Sequence, residues 1–503
     1  MSNHLFDALT AFIPDRDKVF LELADGTVQT YRDMFARSAQ YAGALQKLGV
    51  KPGDRVAVQV EKTADALMVY LGTIRAGGVF LPLNTAYTPA EVAYFVGDAE
   101  PAVFVCDPEK ADALAGIAQK AGAKLQTLDA NGEGTLRQLA DGMPAEYDTR
   151  PREDEDLAAI LYTSGTTGRS KGAMLSHGNL ASNSRTMVGY WRFTEDDVLL
   201  HALPIFHTHG LFVATNCLMM AGGSMLFLPK FDLDQVLAAL PRATSMMGVP
   251  TFYTRLLGSD RFTKELASHM RLFISGSAPL SAEVHKEFSA RTGHAILERY
   301  GMTETNMNTS NPYDGERRPG TVGFPLPGVG LRVVDPKTGR EVPRGDVGII
   351  EIKGPNVFQG YWRMPEKTAQ EFRVDGYFIS GDMGRIDEDG YVSIVGRSKD
   401  LIITGGFNVY PAEVEALLDE LPGVAESAVI GVPHPDFGEA VVAVLAPRNG
   451  AALDRDTVQA ALGDRLAKFK QPKMVHVLET LPRNTMGKIQ KNVLREQFSS
   501  DFA

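Results

Sequence analysis

The chain is expected to adopt an α/β fold, and three observations predict it. Strand-like and helix-like stretches alternate along most of its length, the order that gives a parallel sheet with helices on its faces. A glycine- and hydroxyl-rich segment, YTSGTTGRSKG (Tyr162–Gly172), follows directly on the strand-like run DLAAILYT (Asp156–Thr163), as a polyphosphate loop would. At 503 residues the chain exceeds one ordinary core and is expected to divide into at least two domains.

In order, ADGT separates VFLEL from VQTY and predicts a hairpin over Val19–Tyr31. Met34, Phe35, Ser38, Ala42, Leu45 and Leu48 repeat at helical spacing over Tyr31–Leu48, and Gly49 ends the run. Arg55–Val60 alternates as a strand, Thr63–Arg75 reads as a helix stopped by Gly77-Gly78, and Val79–Leu83 is the next strand. Pro89 opens a helix to Val96, and Ala102–Cys106 is again a strand. The pattern resumes after the glycine-rich segment at Ser224–Leu228, Leu233–Leu240 and Leu272–Ser275. From about Pro325, GVGLRVVD, VGIIEIKG and GYVSIVG alternate with Gly/Asp/Pro turns, predicting a β-rich layer or small barrel. A boundary is expected near Arg397-Ser398-Lys399-Asp400. The remaining hundred or so residues read as a small α+β domain: LIITGG, a helix Pro411–Leu421, the strand VVAVLAP, a helix over about Asp454–Lys468, the strand KMVHVLE and a last helix starting near Lys488.

Composition narrows the function classes. Hydrophobic residues make up 44% and charged residues 22%, the proportions of a globular protein. The net charge of −11 argues against broad nucleic-acid binding and requires local positive charge wherever an anionic substrate enters. Cys106 and Cys217 stand in apolar runs without metal spacing and are read as buried free thiols of a reducing compartment. The start of the chain lacks the basic region and apolar run of a signal peptide, and no apolar run has the length and purity of a membrane span. A cytoplasmic protein is expected.

Candidate chemistry lies in five segments. In YTSGTTGRSKG, Gly165 and Lys171 lack the Walker A spacing, so phosphates are expected to be held by a different, mobile flap. In ERYGMTETN (Glu298–Asn306), Tyr300 and Gly301 can approach a flat base, and Glu304 supplies the carboxylate that Mg2+ on a triphosphate needs. In SGDMGRID (Ser380–Asp387), Asp382 can accept two ribose hydroxyls or form an Asx turn. In GRSKDLIITGGFNVYPAEVE (Gly396–Glu415), Arg397 can touch ribose or phosphate, and Gly405-Gly406 can expose backbone to a ligand. In LPRNTMGKIQK (Leu481–Lys491), Lys488 is either a point charge for developing negative charge or a solvated lysine. Together the five point to a nucleoside triphosphate.

With PIFHTHG (Pro204–Gly210), these segments in this order resemble the core motifs of the acyl-adenylate-forming superfamily, which comprises acyl-CoA synthetases, firefly luciferases and peptide-synthetase adenylation domains. The resemblance covers essentially the whole chain. It implies a large N-terminal domain (1–398) of two sheet-helix subdomains plus a β-barrel, and a small mobile C-terminal domain (399–503). It implies two half-reactions, formation of acyl-AMP from a carboxylate and MgATP, then displacement of AMP by a thiol, here that of coenzyme A. By motif, Thr163, Ser164, Gly165, Thr166, Thr167, Gly168 and Lys171 hold the β- and γ-phosphates, Thr303 contacts the α-phosphate and Glu304 binds Mg2+. Gly276, Ser277, Ala278, Glu298, Arg299, Tyr300 and Gly301 flank adenine, while Asp382 and Arg397 hold ribose. Lys488 bridges carboxylate and α-phosphate, Lys399 is the hinge, and Gly405-Gly406 replaces Lys488 after rotation and lines the pantetheine tunnel. Acylation of Lys488 by a lysine acetyltransferase, reversed by a deacetylase, would remove its charge.

The acid is read from Arg299, where many relatives carry an uncharged residue. A buried guanidinium is costly without an anion, and a second carboxylate on the substrate would supply one in bidentate geometry. Pairing with Glu298 or Glu304 is the alternative. His209 and Ser277 are expected to add donors, Thr208 and Met307 to contact the α-carbon, and His207 to act as a gate or packing residue. Within the superfamily the chain resembles the malonyl-CoA synthetases, some of which accept methylmalonate. A CoA ligase for a short monocarboxylic or aryl acid, a carrier-loading adenylation domain and an inactive nucleotide-binding protein are the competing expectations.

Overall fold

The computed structural model describes residues 2–502 except Pro14, 164–169, 449–450, Ala452, Asp454, 463–464 and 485–486. Two sheets dominate. One has six strands in the spatial order Lys124–Thr127, Val103–Cys106, Arg55–Gln59, Val79–Pro82, Leu157–Thr163, Lys171–Ser176. Its neighbours are parallel except the final pair. The other has nine, in the order Phe324–Pro325, Asn306–Ser310, Leu297–Met302, Leu272–Ser275, Ser245–Gly248, Val198–His201, Ser224–Phe227, Val19–Leu23, Val28–Thr30. Its centre is parallel and its edges are antiparallel hairpins. Continuous apolar strands such as Val103–Cys106, buried throughout, are what a sheet covered on both faces requires.

The helices follow the sequence signals closely. Tyr31–Lys47 begins on a capping box between Thr30 and Asp33 and buries Met34, Ser38, Ala42 and Leu45. Ala64–Arg75 is capped by Thr63 and buried at every residue, the mark of a helix enclosed within a protein. It approaches Tyr31–Lys47 so closely that a Cβ at Gly72 would lie 2.7 Å from Tyr41 Cβ.

The β-rich layer is a four-stranded antiparallel sheet, in the order Gly330–Val334, Gly348–Lys353, Phe378–Ile386, Val392–Arg397. Its ladder does not join the first strand to the last, so the pairing is that of an open sheet and not the closed barrel expected. The edge at Val392 is instead taken up by the segment before Phe324, through Val322 N–H to Val392 O at 2.8 Å and Val392 N–H to Gly323 O at 2.8 Å.

After Leu401 a separate five-stranded sheet forms, with Gly438–Pro447 between Val424–His434 on one side and Ile402–Thr404 and Met474–Val477 on the other. Its alternate residues feed two clusters. Val441, Ala443 and Leu445 pack on Val414, Leu418, Val458 and Leu462, while Val442 and Val444 pack on Leu494 and Phe498. The helix expected over Asp454–Lys468 spans Arg455–Leu462, and the last helix starts at Lys491, which leaves Lys488 in the turn before it. Cys106 and Cys217 are buried and free. Among the described residues no helix is long and apolar enough to cross a membrane.

Candidate active site

The carboxyl ends of strands from both large sheets open on one cavity of about 1320 Å3, and the C-terminal part of the chain closes over it with Arg483, Asn484, Lys488 and Gln490. Such crevices beyond strand carboxyl ends are where open α/β sheets bind ligands. Thr163, Lys171, Thr208, His209, Ser277, Arg299, Gly301, Thr303, Glu304, Met307, Arg397, Lys399 and Lys488 all line it. Segments hundreds of residues apart in sequence are thereby brought together. The expected phosphate-loop residues Ser164, Gly165, Thr166, Thr167 and Gly168 lie outside the described residues.

Arg299 sits near the middle of strand Leu297–Met302. It is 3% exposed, and its Nε and Nη2 are buried without a hydrogen-bond partner among the described residues. Burial pushes its guanidinium down to about 9, with only Tyr253 and Cys217 acting in the other direction. Gly276 admits the group, since a Cβ there would collide with the guanidinium. Neither acid weighed as an internal partner reaches it. Glu298 accepts from His285 Nδ1 at 3.1 Å and from Gly320 N–H. Glu304 accepts from Tyr361 Oη at 3.1 Å and Thr163 Oγ1 at 3.3 Å.

Three more polar groups surround the guanidinium's end of the cavity. Ser277 follows strand Leu272–Ser275 with φ +71°, a sparsely populated conformation for a residue with a side chain. It pairs its hydroxyl with His209 Nδ1 at 3.1 Å. His209 opens a π-helical turn, His209–Thr215, a rare geometry frequent at functional sites. His209 Nε2 and Thr208 Oγ1 are buried and unpaired among the described residues. Burial first, then the Arg299 charge, holds His209 well below its ordinary range, and burial with Lys488 and Arg299 holds His207 at about 3. Both rings are therefore neutral at physiological pH. A buried cation and two unpaired polar groups beside a cavity form a receptor for an anion.

Opposite this pocket, the tight connection between Leu297–Met302 and Asn306–Ser310 projects Thr303 and Glu304 into the cavity. Among the described residues no group of three or more His, Cys, Asp or Glu could hold a metal alone. Glu304 nevertheless suits Mg2+, which is bound through one or two carboxylates plus substrate phosphates. Lys171 opens strand Lys171–Ser176, with its Nζ 3.4 Å from Glu371 and 4.1 Å from the Tyr361 ring centroid. Tyr361 and Glu371 were not singled out from the sequence. An aromatic after a glycine and a glutamate ending a short helix carry no distinctive local signal.

Asp382 is buried, pairs with Arg397 Nε at 2.6 Å and accepts from Tyr300 Oη. Asp382 first raises the Arg397 pKa. Of the residues expected around adenine, Ser277, Arg299 and Gly301 line the cavity. Glu298, whose carboxyl is bonded to His285 and Gly320, is not among the lining residues, and neither are Gly276, Ala278 and Tyr300. Lys488 is solvent-accessible within the cavity yet enclosed by protein, and burial together with Arg397 lowers its pKa. Gly405 and Gly406 form the tip of the hairpin joining Ile402–Thr404 to Phe407–Val409 and are not among the lining residues.

The chain is similar over nearly its whole length to proteins already solved or named for an activity. The ATP-bound crystal structure of MatB from Rhodopseudomonas palustris is 62% identical, covers 100% of both chains and superposes with a TM-score of 0.98. A malonate–CoA ligase of Arabidopsis thaliana is 34% identical over 93% of this chain and 82% of its own length. A feruloyl-CoA synthase of Amycolatopsis is 37% identical over 94% of each. Residues 11–362 match the model of AMP-binding enzymes and residues 413–488 that of their C-terminal domain. With the motifs, the cavity and these matches in agreement, the chain belongs to the AMP-binding enzyme family.

Proposed function

We propose that this protein is an AMP-forming ligase that joins malonate, and also methylmalonate, to coenzyme A at the expense of ATP. The observation that carries the substrate is Arg299, a buried guanidinium with unpaired donors and no internal carboxylate partner among the described residues. A monocarboxylic or aryl acid would leave that cation bare, whereas a short diacid neutralises it. The likeness to MatB and to the plant malonate–CoA ligase supports this choice over the feruloyl reading.

In the first half-reaction the near carboxylate oxygen of malonate attacks the α-phosphorus of ATP. The bond from that phosphorus to the pyrophosphate oxygen breaks, and a mixed anhydride forms. Arg299, with His209 and Ser277, holds the far carboxylate, so the near one is fixed in position, and most of the catalysis is positioning and charge stabilisation. Lys488 approaches from the closing side of the cavity and neutralises charge shared by the attacking carboxylate and the α-phosphate. Thr303 donates to the α-phosphate, and Lys171 exchanges Glu371 for phosphate oxygens. Glu304 is the carboxylate that would hold Mg2+, which when bound screens the triphosphate charge. Tyr361 and Thr163 orient Glu304. Asp382 and Arg397 take the ribose, and the backbone at Gly301 borders adenine.

In the second half-reaction the thiolate of coenzyme A attacks the acyl carbon and AMP leaves. Rotation of 399–503 relative to 1–398 about Lys399 would withdraw Lys488 and bring Gly405-Gly406 to the site. A pyrophosphate-release assay with malonate, acetate, propionate and coumarate tests the assignment. Malonate is expected to have the highest kcat/KM, and no preference over acetate would refute it. Transfer to free coenzyme A without a carrier protein excludes the carrier-loading alternative.

A further inference from the structure

Behind the wall of the anion pocket lies a buried pair that none of the steps above uses. Lys62 follows strand Arg55–Gln59 in the six-stranded sheet, and His201 ends strand Val198–His201 in the nine-stranded one. Lys62 is 9% exposed and His201 is 1% exposed. Lys62 Nζ lies 2.9 Å from His201 Nδ1, 2.8 Å from His201 O and 4.2 Å from the centroid of Phe227. No carboxylate pairs with this amine among the described residues, and burial drives it well below its ordinary range. Burial and the adjacent Lys62 also keep His201 neutral.

A neutral imidazole has one donor and one acceptor nitrogen. The Gly210 carbonyl oxygen beside Nε2 can only accept, so the ring proton is on Nε2, and Nδ1 accepts from the Lys62 amine, which has protons to donate whether charged or neutral. Nε2 is 2.8 Å from Gly210 O and 3.2 Å from Thr215 Oγ1, and Thr215 Oγ1 itself donates to Gly210 O at 3.0 Å. Gly210 is the second residue of the π-helical turn and sits so tightly that a Cβ would collide with Pro204 O. The residues immediately before it, Thr208 and His209, carry the unpaired groups facing the cavity.

We propose that Lys62 and His201 are positioning residues for the substrate's far carboxylate: Lys62 fixes the Nε2–H tautomer of His201, and that proton pins the Gly210 carbonyl and with it the turn presenting Thr208 and His209. The pair links the two large sheets beside the turn that lines the acid end of the cavity. Without Lys62, the alternative tautomer would set an Nε2 lone pair against the Gly210 oxygen, and the turn would shift. The inference rests on the reading of the Arg299 pocket as the far-carboxylate site.

The test is ATP–pyrophosphate exchange by the full chain with malonate or acetate as the acid, on wild type, Lys62→Met, His201→Leu and His201→Gln. Lys62→Met and His201→Leu are expected to raise KM for malonate about tenfold, the loss of one buried hydrogen bond, with KM for ATP and the parameters for acetate within about twofold of wild type. Gln carries an N–H near the position of His Nε2, so His201→Gln is expected to rescue malonate binding. Independently of mutant folding, 15N-histidine NMR of the wild type should show His201 as the Nε2–H tautomer, and the opposite tautomer would overturn the proposal. Unaltered KM for malonate in Lys62→Met and His201→Leu, with wild-type preference for malonate intact, would overturn this inference alone. Wild type that does not prefer malonate to acetate would overturn the substrate reading, and this inference with it.

Discussion

Replacing Arg299 by Leu should move stability and activity in opposite directions. In the free protein the guanidinium is buried, two of its nitrogens are unpaired among the described residues, and its pKa falls to about 9 from a range normally above 12. The sign follows from linkage. Below pH 9 folded and unfolded chains both carry the charge, so the folded state bears the whole desolvation cost at neutral pH. Relief comes only as pH rises above 9, where the unfolded chain still binds the proton and the folded chain does not. The depressed pKa corresponds to at most about 4–5 kcal/mol, which cavity water reduces. Leu removes that cost while leaving some empty volume. The variant should therefore melt at or above the wild-type temperature.

With malonate the balance reverses. The far carboxylate now enters a buried site with no cation, and breaking such a pair costs about 3–5 kcal/mol. This corresponds to about a 150- to 4,000-fold fall in kcat/KM for malonate. Acetate has no far carboxylate and should change little, or improve. Pyrophosphate release at saturating ATP, with each acid varied in turn, reads the two effects separately, and scanning calorimetry reads the melting temperature. Malonate kcat/KM within tenfold of wild type, or an equal loss with acetate, would refute the reasoning.

Lys488→Ala should slow acyl-AMP formation by orders of magnitude yet leave thiolysis of supplied malonyl-AMP largely intact; single-turnover assays of each half-reaction check this, and equal loss of both would contradict rotation between two states. Glu304→Gln keeps an acceptor for Tyr361 and Thr163 but loses the carboxylate, so the apparent Mg2+ requirement in ATP–pyrophosphate exchange should rise at least about tenfold. Asp419 is held at about 7 by burial, which outweighs its bond from Ser427 Oγ at 2.7 Å. The folded chain thus binds a proton that the unfolded one has lost between about pH 4 and 7, and stability falls as pH rises through that window. Asp419→Asn should stabilise the C-terminal domain by a few kcal/mol at most above pH 7 and by almost nothing below pH 4, as measured by denaturant melts across pH.

Much of the fold was legible because local and tertiary demands agree. The helices expected from Tyr31, Thr63 and Pro89 begin at Tyr31, Ala64 and Pro89, each behind a capping threonine, and the apolar run Val103–Cys106 is buried as expected. The β-rich layer showed its strands but not their closure, since closure depends on which edges meet and not on alternation. At the site, residue types announced ATP chemistry, and Arg299 announced an anion. What could not be read was direction. Glu298 and Arg299 are adjacent in a strand, so their side chains point to opposite faces. That single alternation sends one to His285 and the other into the cavity. The Lys62–His201 pair was invisible for a related reason, because its members belong to different sheets and meet only through packing.

Several unfavourable features of this molecule meet at one end of the cavity. Ser277 holds a positive φ, the chain from His209 to Thr215 is wound as a π-turn, and Arg299, His209 and Thr208 all carry buried polar atoms without partners among the described residues. A strained φ at a residue with a side chain, or a buried polar atom without a partner, costs on the order of 1–3 kcal/mol. Buried unpaired polar atoms also occur elsewhere, at Gln59 and Asn356 for example, but those of Arg299, Thr208 and His209 belong to residues that line the cavity together and would meet a carboxylate there. A ligand carrying that group would satisfy the donors together, and its binding free energy would include the relief of their desolvation. The same argument explains why the opposite end of the cavity looks different. Asp382, Arg397, Tyr300, Glu304 and Tyr361 are paired with one another before any nucleotide arrives. The nucleotide end is thus pre-organised by internal partners, and the acid end is left to be completed by the substrate, so discrimination between acids is built where the free protein is least satisfied.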